Sequence, residues 1–143
     1  MRVVVDTNVL VSGLLSPYGP PGEVVRMIAA GTLSICYDAR IFSEYTQVLR
    51  RPKFPFSQEH LEAFLDQMKA VGVVVASDPL LTRLPDEGDE PFLGVALATE
   101  AECLITGNLK HFPIAARQGM RVLSPGDFLD FYRRAKRTKS HES

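Results

Sequence analysis

Residues 2–15 read RVVVDTNVLVSGLL. The segment 2–5 ends in three consecutive valines, the pattern of a short strand buried on both faces. Asp6 follows at once, then Thr7 and Asn8, and an apolar run over 9–15 reads as a short helix. A carboxylate at the end of an interior strand needs a reason. In sheets of parallel strands linked by helices, the functional crevice lies beyond the C-terminal strand ends. Asp6 stands at such an end.

The rest of the chain repeats the alternation. Apolar strands are expected at 33–37, 73–76, 103–106 and 121–123. Helices are expected at 23–30 and 39–50, after a Ser57 cap, at 92–101, and after a Ser124 cap with Pro125 at the first helical position. YGPPG, residues 18–22, reads as a turn, and 77–88 as a polar loop. The fold class expected is α/β: three layers, α/β/α, around a central, mainly parallel sheet of about five strands. Residues 1–135 form one domain in this reading, with 136–143 a basic, flexible tail.

With 143 residues, 45% of them apolar, the chain is long enough to bury a real core. The expected location is cytoplasmic. No apolar run reaches the ~18 residues of a membrane span, and no basic leader precedes the first strand. Cys36 and Cys103 sit in apolar strands and read as reduced core residues. A net charge of −1 argues against a purely electrostatic nucleic-acid binder.

Other acids reach the same sheet edge. Asp38 follows the second strand, where it also fits a helix cap. Glu44 lies one turn into the next helix, beside its apolar stripe. Asp89 and Glu90 open the 92–101 helix region, where acids also suit the helix dipole. The fourth strand ends in Thr106-Gly107-Asn108. Clustered carboxylates raise one another's pKa unless a cation neutralises them. An oxygen-only set suits Mg²⁺ or Mn²⁺, and such ions serve phosphodiester hydrolysis. Zinc-ligand spacing, a nucleophile elbow, and dinucleotide or nucleotide phosphate loops are all absent.

Four stretches carry a family resemblance: VVVDTNVLVSGLL (3–15), SEYTQVLRRPKF (43–54), DEPFLGVALATEAECLITGN (89–108) and VLSPGDFL (122–129). In this order they resemble PIN-domain proteins of the VapC-like ribonuclease branch, toxins of toxin–antitoxin systems. The resemblance implies a small metal-dependent endoribonuclease acting on single-stranded RNA, with Mg²⁺ or Mn²⁺ as cofactor. Asp6, Glu44 and Asp89 match the family's core acids, as both catalytic and metal-holding residues. Glu90 is an adjacent candidate ligand. Asn8 and Thr106 match residues that order the site. A fourth acid is usual at the end of the fourth strand; Asn108 stands there, keeping a carbonyl oxygen but no charge.

The implied partners are RNA, an antitoxin protein and a second copy of the chain, with no membrane. Arg50, Arg51, Lys53 and Lys110 are the basic residues expected to meet RNA phosphates. Two rivals stand beside this reading. A catalytically weak PIN-like module for RNA binding or assembly is kept open by Asn108. A haloacid dehalogenase-like phosphatase would need a second Asp two residues after Asp6, where Asn8 stands.

Overall fold

The computed structural model describes residues 1–142, with side chains described through Thr138. Five strands, β1 (Arg2–Val5), β2 (Ser34–Tyr37), β3 (Val73–Val74), β4 (Cys103–Ile105) and β5 (Val122–Leu123), form one sheet in the order β3-β2-β1-β4-β5. Every pairing is parallel. Val3, Val4 and Val5 alternate across the sheet, yet each is 0% exposed, so both faces of β1 are covered. Cys103, Leu104 and Ile105 of β4 are equally buried. The two central strands are thus the all-apolar ones, as a covered parallel sheet requires.

Six helices connect and cover the strands: α1 (Thr7–Leu15), α2 (Pro20–Ala29), α3 (Ala39–Leu49), α4 (Gln58–Val71), α5 (Glu90–Ala98) and α6 (Pro125–Glu142). The amphipathic stripe of α4 buries Leu61, Phe64, Leu65 and Met68, and Ser57 caps its start. Helix α5 is apolar nearly all round because it packs on β1, β2 and β4 together.

Two boundaries differ from expectation for physical reasons. YGPPG is not all turn: Pro20 and Pro21 form the first turn of α2, where a missing N–H costs nothing. Helices α1 and α2 then meet too closely for a side chain at Gly13, where a Cβ would collide with the Pro21 carbonyl; at Gly22 a Cβ would collide with the carbonyl of Pro17, in the turn before α2. Helix α6 runs further than expected, through the basic segment to Glu142, because RRAKRTK contains strong helix formers and neither Gly nor Pro. Ser143 lies outside the described residues. Finally, the stretch 107–120 folds into two short 3₁₀ turns, Leu109–His111 and Ile114–Ala116, anchored by fully buried Phe112.

Candidate active site

The ladder continues one residue past β1. The Asp6 amide donates to the Ile105 carbonyl at 2.9 Å, and the Thr106 amide to that of Leu123 at 2.9 Å. This fixes Asp6 and Thr106 side by side at the C-terminal edge, where the Thr106 hydroxyl donates to Asp6 Oδ2 at 2.8 Å. Asp6 occupies the N-cap position of α1, but its side chain makes no capping hydrogen bond. Burial pushes its carboxyl up to about 6; the Thr106 bond opposes this, and the charges of Asp89 and Glu44 add to it.

Glu44 comes from α3. That helix is set by Asp38, whose Oδ1 accepts from the Ile41 amide at 2.9 Å, and by Tyr45, which is fully buried and donates to the Val5 carbonyl. With Tyr45 fixed beneath the end of β1, Glu44 is carried to the rim and accepts a hydrogen bond from the Thr7 hydroxyl. The phenol of Tyr45 is pushed well above its ordinary value, first by burial and then by the charges of Asp6 and Glu44.

Asp89 closes a 3₁₀ turn over Glu87–Asp89 that leads into α5. It too makes no capping bond. Its carboxyl is raised by burial, with His111 opposing and Asp86 and Glu44 adding. Nδ1 of His111 lies 2.9 Å from Asp89 Oδ2. The approach is close but bent, so this buried oxygen has no aligned hydrogen-bond donor. On the other side of the ring, Nε2 meets the Asn108 side-chain nitrogen at 2.8 Å.

The charges of Asp6, Glu44 and Asp89 act on one another across the sheet edge, and Thr106 adjoins Asp6; among the described residues the tighter grouping of ligand atoms is that of Asp89 with Asp86 and His111. Asn8 accepts from the Gly107 amide at 3.3 Å and ties α1 to the turn after β4. Glu90 is not brought into this group: its carboxylate takes Arg83 at 3.2 Å and the Leu84 amide at 3.3 Å. Asp38 serves α3 as its cap and pairs with Arg40 at 2.7 Å. Arg50 is held by both oxygens of Glu62, at 2.8 and 2.7 Å. Arg51, Lys53 and Lys110 are exposed, with Lys53 lying over the Phe54 ring.

Thr7 and Asp86 escaped the sequence reading, and the only signal for Thr7 was its place next to Asp6. The sequence sets His111 beside Lys110 near the site only as a basic residue for RNA phosphate; one ligand atom each of Asp86, Asp89 and His111 lie within 4.8 Å of one another. One Asp86 oxygen is already engaged by the Gly88 amide at 2.9 Å. The spacing of three between Asn108 and His111 was the available signal, since a short turn brings such positions together.

The groups that set the proton affinity of Asp6 are a hydroxyl, a backbone amide and two carboxylates; none is positive. A buried carboxylate facing two more, with no cationic partner, suits a hard divalent ion. Asp6, Glu44 and Asp89 supply such oxygen donors, with one oxygen of Asp89 already facing His111 Nδ1 at 2.9 Å.

A family model described as "PIN domain" matches residues 2–110. An uncharacterized protein of Methanocaldococcus jannaschii is 27% identical over 111 residues, covering 76% of this chain and 71% of its own length. Among solved structures, VapBC2 from Rickettsia felis, bound to a DNA fragment from its promoter, superposes with a TM-score of 0.55 at 15% identity. That match covers 87% of this chain and 98% of the other, and it bears on the fold.

Proposed function

The chain belongs to the PIN-domain family, and on that footing we propose that it is a Mg²⁺- or Mn²⁺-dependent endoribonuclease acting on single-stranded RNA. The observation that carries this is Asp6: a buried carboxylate at the end of β1, bonded to Thr106, in no ion pair among the described residues, and pushed up to about 6 by burial and then by the charges of Asp89 and Glu44. Asp6, Glu44 and Asp89 would hold the ion. When bound, such an ion polarises a phosphoryl oxygen and acidifies water.

The chain's other residues prepare that arrangement. Thr106 orients Asp6, and Thr7 orients Glu44. Asn8 steadies the turn that carries Thr106 and Asn108. Exposed Lys110, Arg51 and Lys53 are free to meet RNA phosphates; Arg50 would have to leave Glu62 first. A protein antitoxin is the partner proposed, supported by the toxin–antitoxin complex among structures of this fold. The neutral Asn108 favours a second reading, a PIN-like RNA-binding module with little catalysis.

One assay separates the two. Purified protein is expected to cut single-stranded RNA with Mn²⁺ or Mg²⁺ and to stop on addition of EDTA. RNA binding without metal-dependent cleavage selects the second reading, and cleavage that survives EDTA contradicts the first.

A further inference from the structure

Asn108 marks the departure from the expected acid, and the structure engages its side chain with His111 rather than leaving it free. The imidazole is bracketed. Asn108 Nδ2 lies 2.8 Å from Nε2, and Asp89 Oδ2 lies 2.9 Å from Nδ1. The bracket is stiff on the protein side. The Asn108 amide donates to Thr106 Oγ1 at 3.1 Å, the His111 amide donates to the Asn108 carbonyl at 3.2 Å, and the next residue, Phe112, is fully buried.

We propose that His111 is the positioning residue of the acidic centre: Asn108 fixes its tautomer, and its Nδ1–H holds Asp89 so that the carboxylate is aimed at the ion. With the amide nitrogen facing Nε2, that ring nitrogen must accept, so the proton of the neutral ring sits on Nδ1, against Asp89. A carboxylate at position 108 can only accept. It would draw the proton to Nε2 and leave two acceptors, Nδ1 and Asp89 Oδ2, facing each other in a neutral ring. The amide thus has a positive role: Asn108 acts through His111 and not as a ligand. The bent contact in the ion-free protein is the sort that straightens when the site is loaded. The proposal rests on the metal-centre reading above for its consequence, but not for the tautomer it requires.

The test has two arms. In the metal-free protein, nitrogen-detected NMR of the imidazole, read at a pH where the ring is neutral, is expected to place its proton on Nδ1. Asn108→Ala should lower the Nδ1-protonated share without abolishing it, because the Asp89 carboxylate still faces Nδ1. In the second arm, Mn²⁺ is titrated calorimetrically. His111→Ala is expected to bind Mn²⁺ about 10–100-fold more weakly, as for loss of an outer-shell partner. His111→Asn, which keeps a donor near the place of Nδ1, should recover most of the affinity.

Three results would overturn the proposal: an Nε2-protonated ring in the native protein, unchanged Mn²⁺ affinity in His111→Ala, or tighter binding there, which would make the ring a blocking group. If the native protein takes up no Mn²⁺ at all, the nuclease reading falls, and the tautomer arm still decides whether Asn108 and His111 hold Asp89. Melting temperatures of all variants identify any that fail to fold.

Discussion

Asp6 and Asp38 are near twins in sequence and opposites in use. Each follows a buried strand of the same parallel sheet, each opens a helix, and each is buried, at 6% and 4% exposed. Asp38 is fully engaged by structure: one oxygen caps α3 through the Ile41 amide, and the other takes Arg40. Asp6 caps nothing; its neighbours are the Thr106 hydroxyl and two other acids. Burial is therefore not what separates them. The difference is whether a cap site and a cation are supplied from within the chain: Asp38 has the Ile41 amide and Arg40, whereas Asp6 has the Thr106 hydroxyl and no ion pair among the described residues. A buried carboxylate without a cationic partner suits a cation from outside.

The sharpest break of this comparison is a matched pair of amides. Asp6→Asn should lower RNA cleavage by more than the roughly 100-fold ceiling typical of outer-shell losses. Asp38→Asn keeps a good cap and should leave cleavage near the native rate. Equal losses in the two, measured under identical Mn²⁺, would erase the distinction.

Next in size is a pH effect. The folded-state pKa of Asp6 is raised from 3.8 to about 6, so the folded state binds its proton more tightly than the unfolded chain. Stability associated with the protonated form is present below the unfolded value and is lost as pH rises through the folded one. Asp6 should therefore make the metal-free protein about 2 kcal/mol less stable well above pH 6 than near pH 4. Denaturant melts of native protein and Asp6→Asn across that window isolate the contribution. The native curve should fall relative to the variant; a parallel pair of curves would mean that Asp6 is not strained by its surroundings. Mn²⁺ should restore the loss above pH 6 in the native protein alone.

Smaller effects test the structural side. Asp38→Ala should cost about 0.5–2 kcal/mol, the usual range for a lost cap. Asp89 makes no cap bond, so Asp89→Asn should change metal-free stability by less than about 1 kcal/mol. A cap-sized loss in Asp89→Asn, measured by the same melts, would return that residue to a structural role.

Much of this was legible in the sequence, and the residues show why. Three valines in a row admit little but a covered strand, and the alternation of such runs with helical stripes specified the parallel sheet. Asp6 and Asp89 could be placed because strand ends and helix starts are local features, and the resemblance to PIN-domain proteins is what singled out Asp6, Glu44 and Asp89 among the acids. What stayed hidden depends on direction and on distant partners. Asp89 and Glu90 are adjacent, and only the fold shows that Glu90 is taken by Arg83 and the Leu84 amide. Arg50 looked free until α4 brought Glu62 against it. His111 lay in a stretch with no periodicity, because 3₁₀ turns are too short to leave one. Proline at 20 and 21 read as a turn because the same residue also opens helices.

The central claim is that Asp6 and the acids whose charges act on it, and not acids at strand ends in general, form a cation centre. Calorimetric Mn²⁺ titration of the native protein, Asp6→Asn and Asp38→Asn tests it most directly. The native protein and Asp38→Asn should bind with the same affinity and stoichiometry, and Asp6→Asn should show no saturable binding in the same concentration range. Full binding by Asp6→Asn, or its loss in Asp38→Asn, would contradict the account.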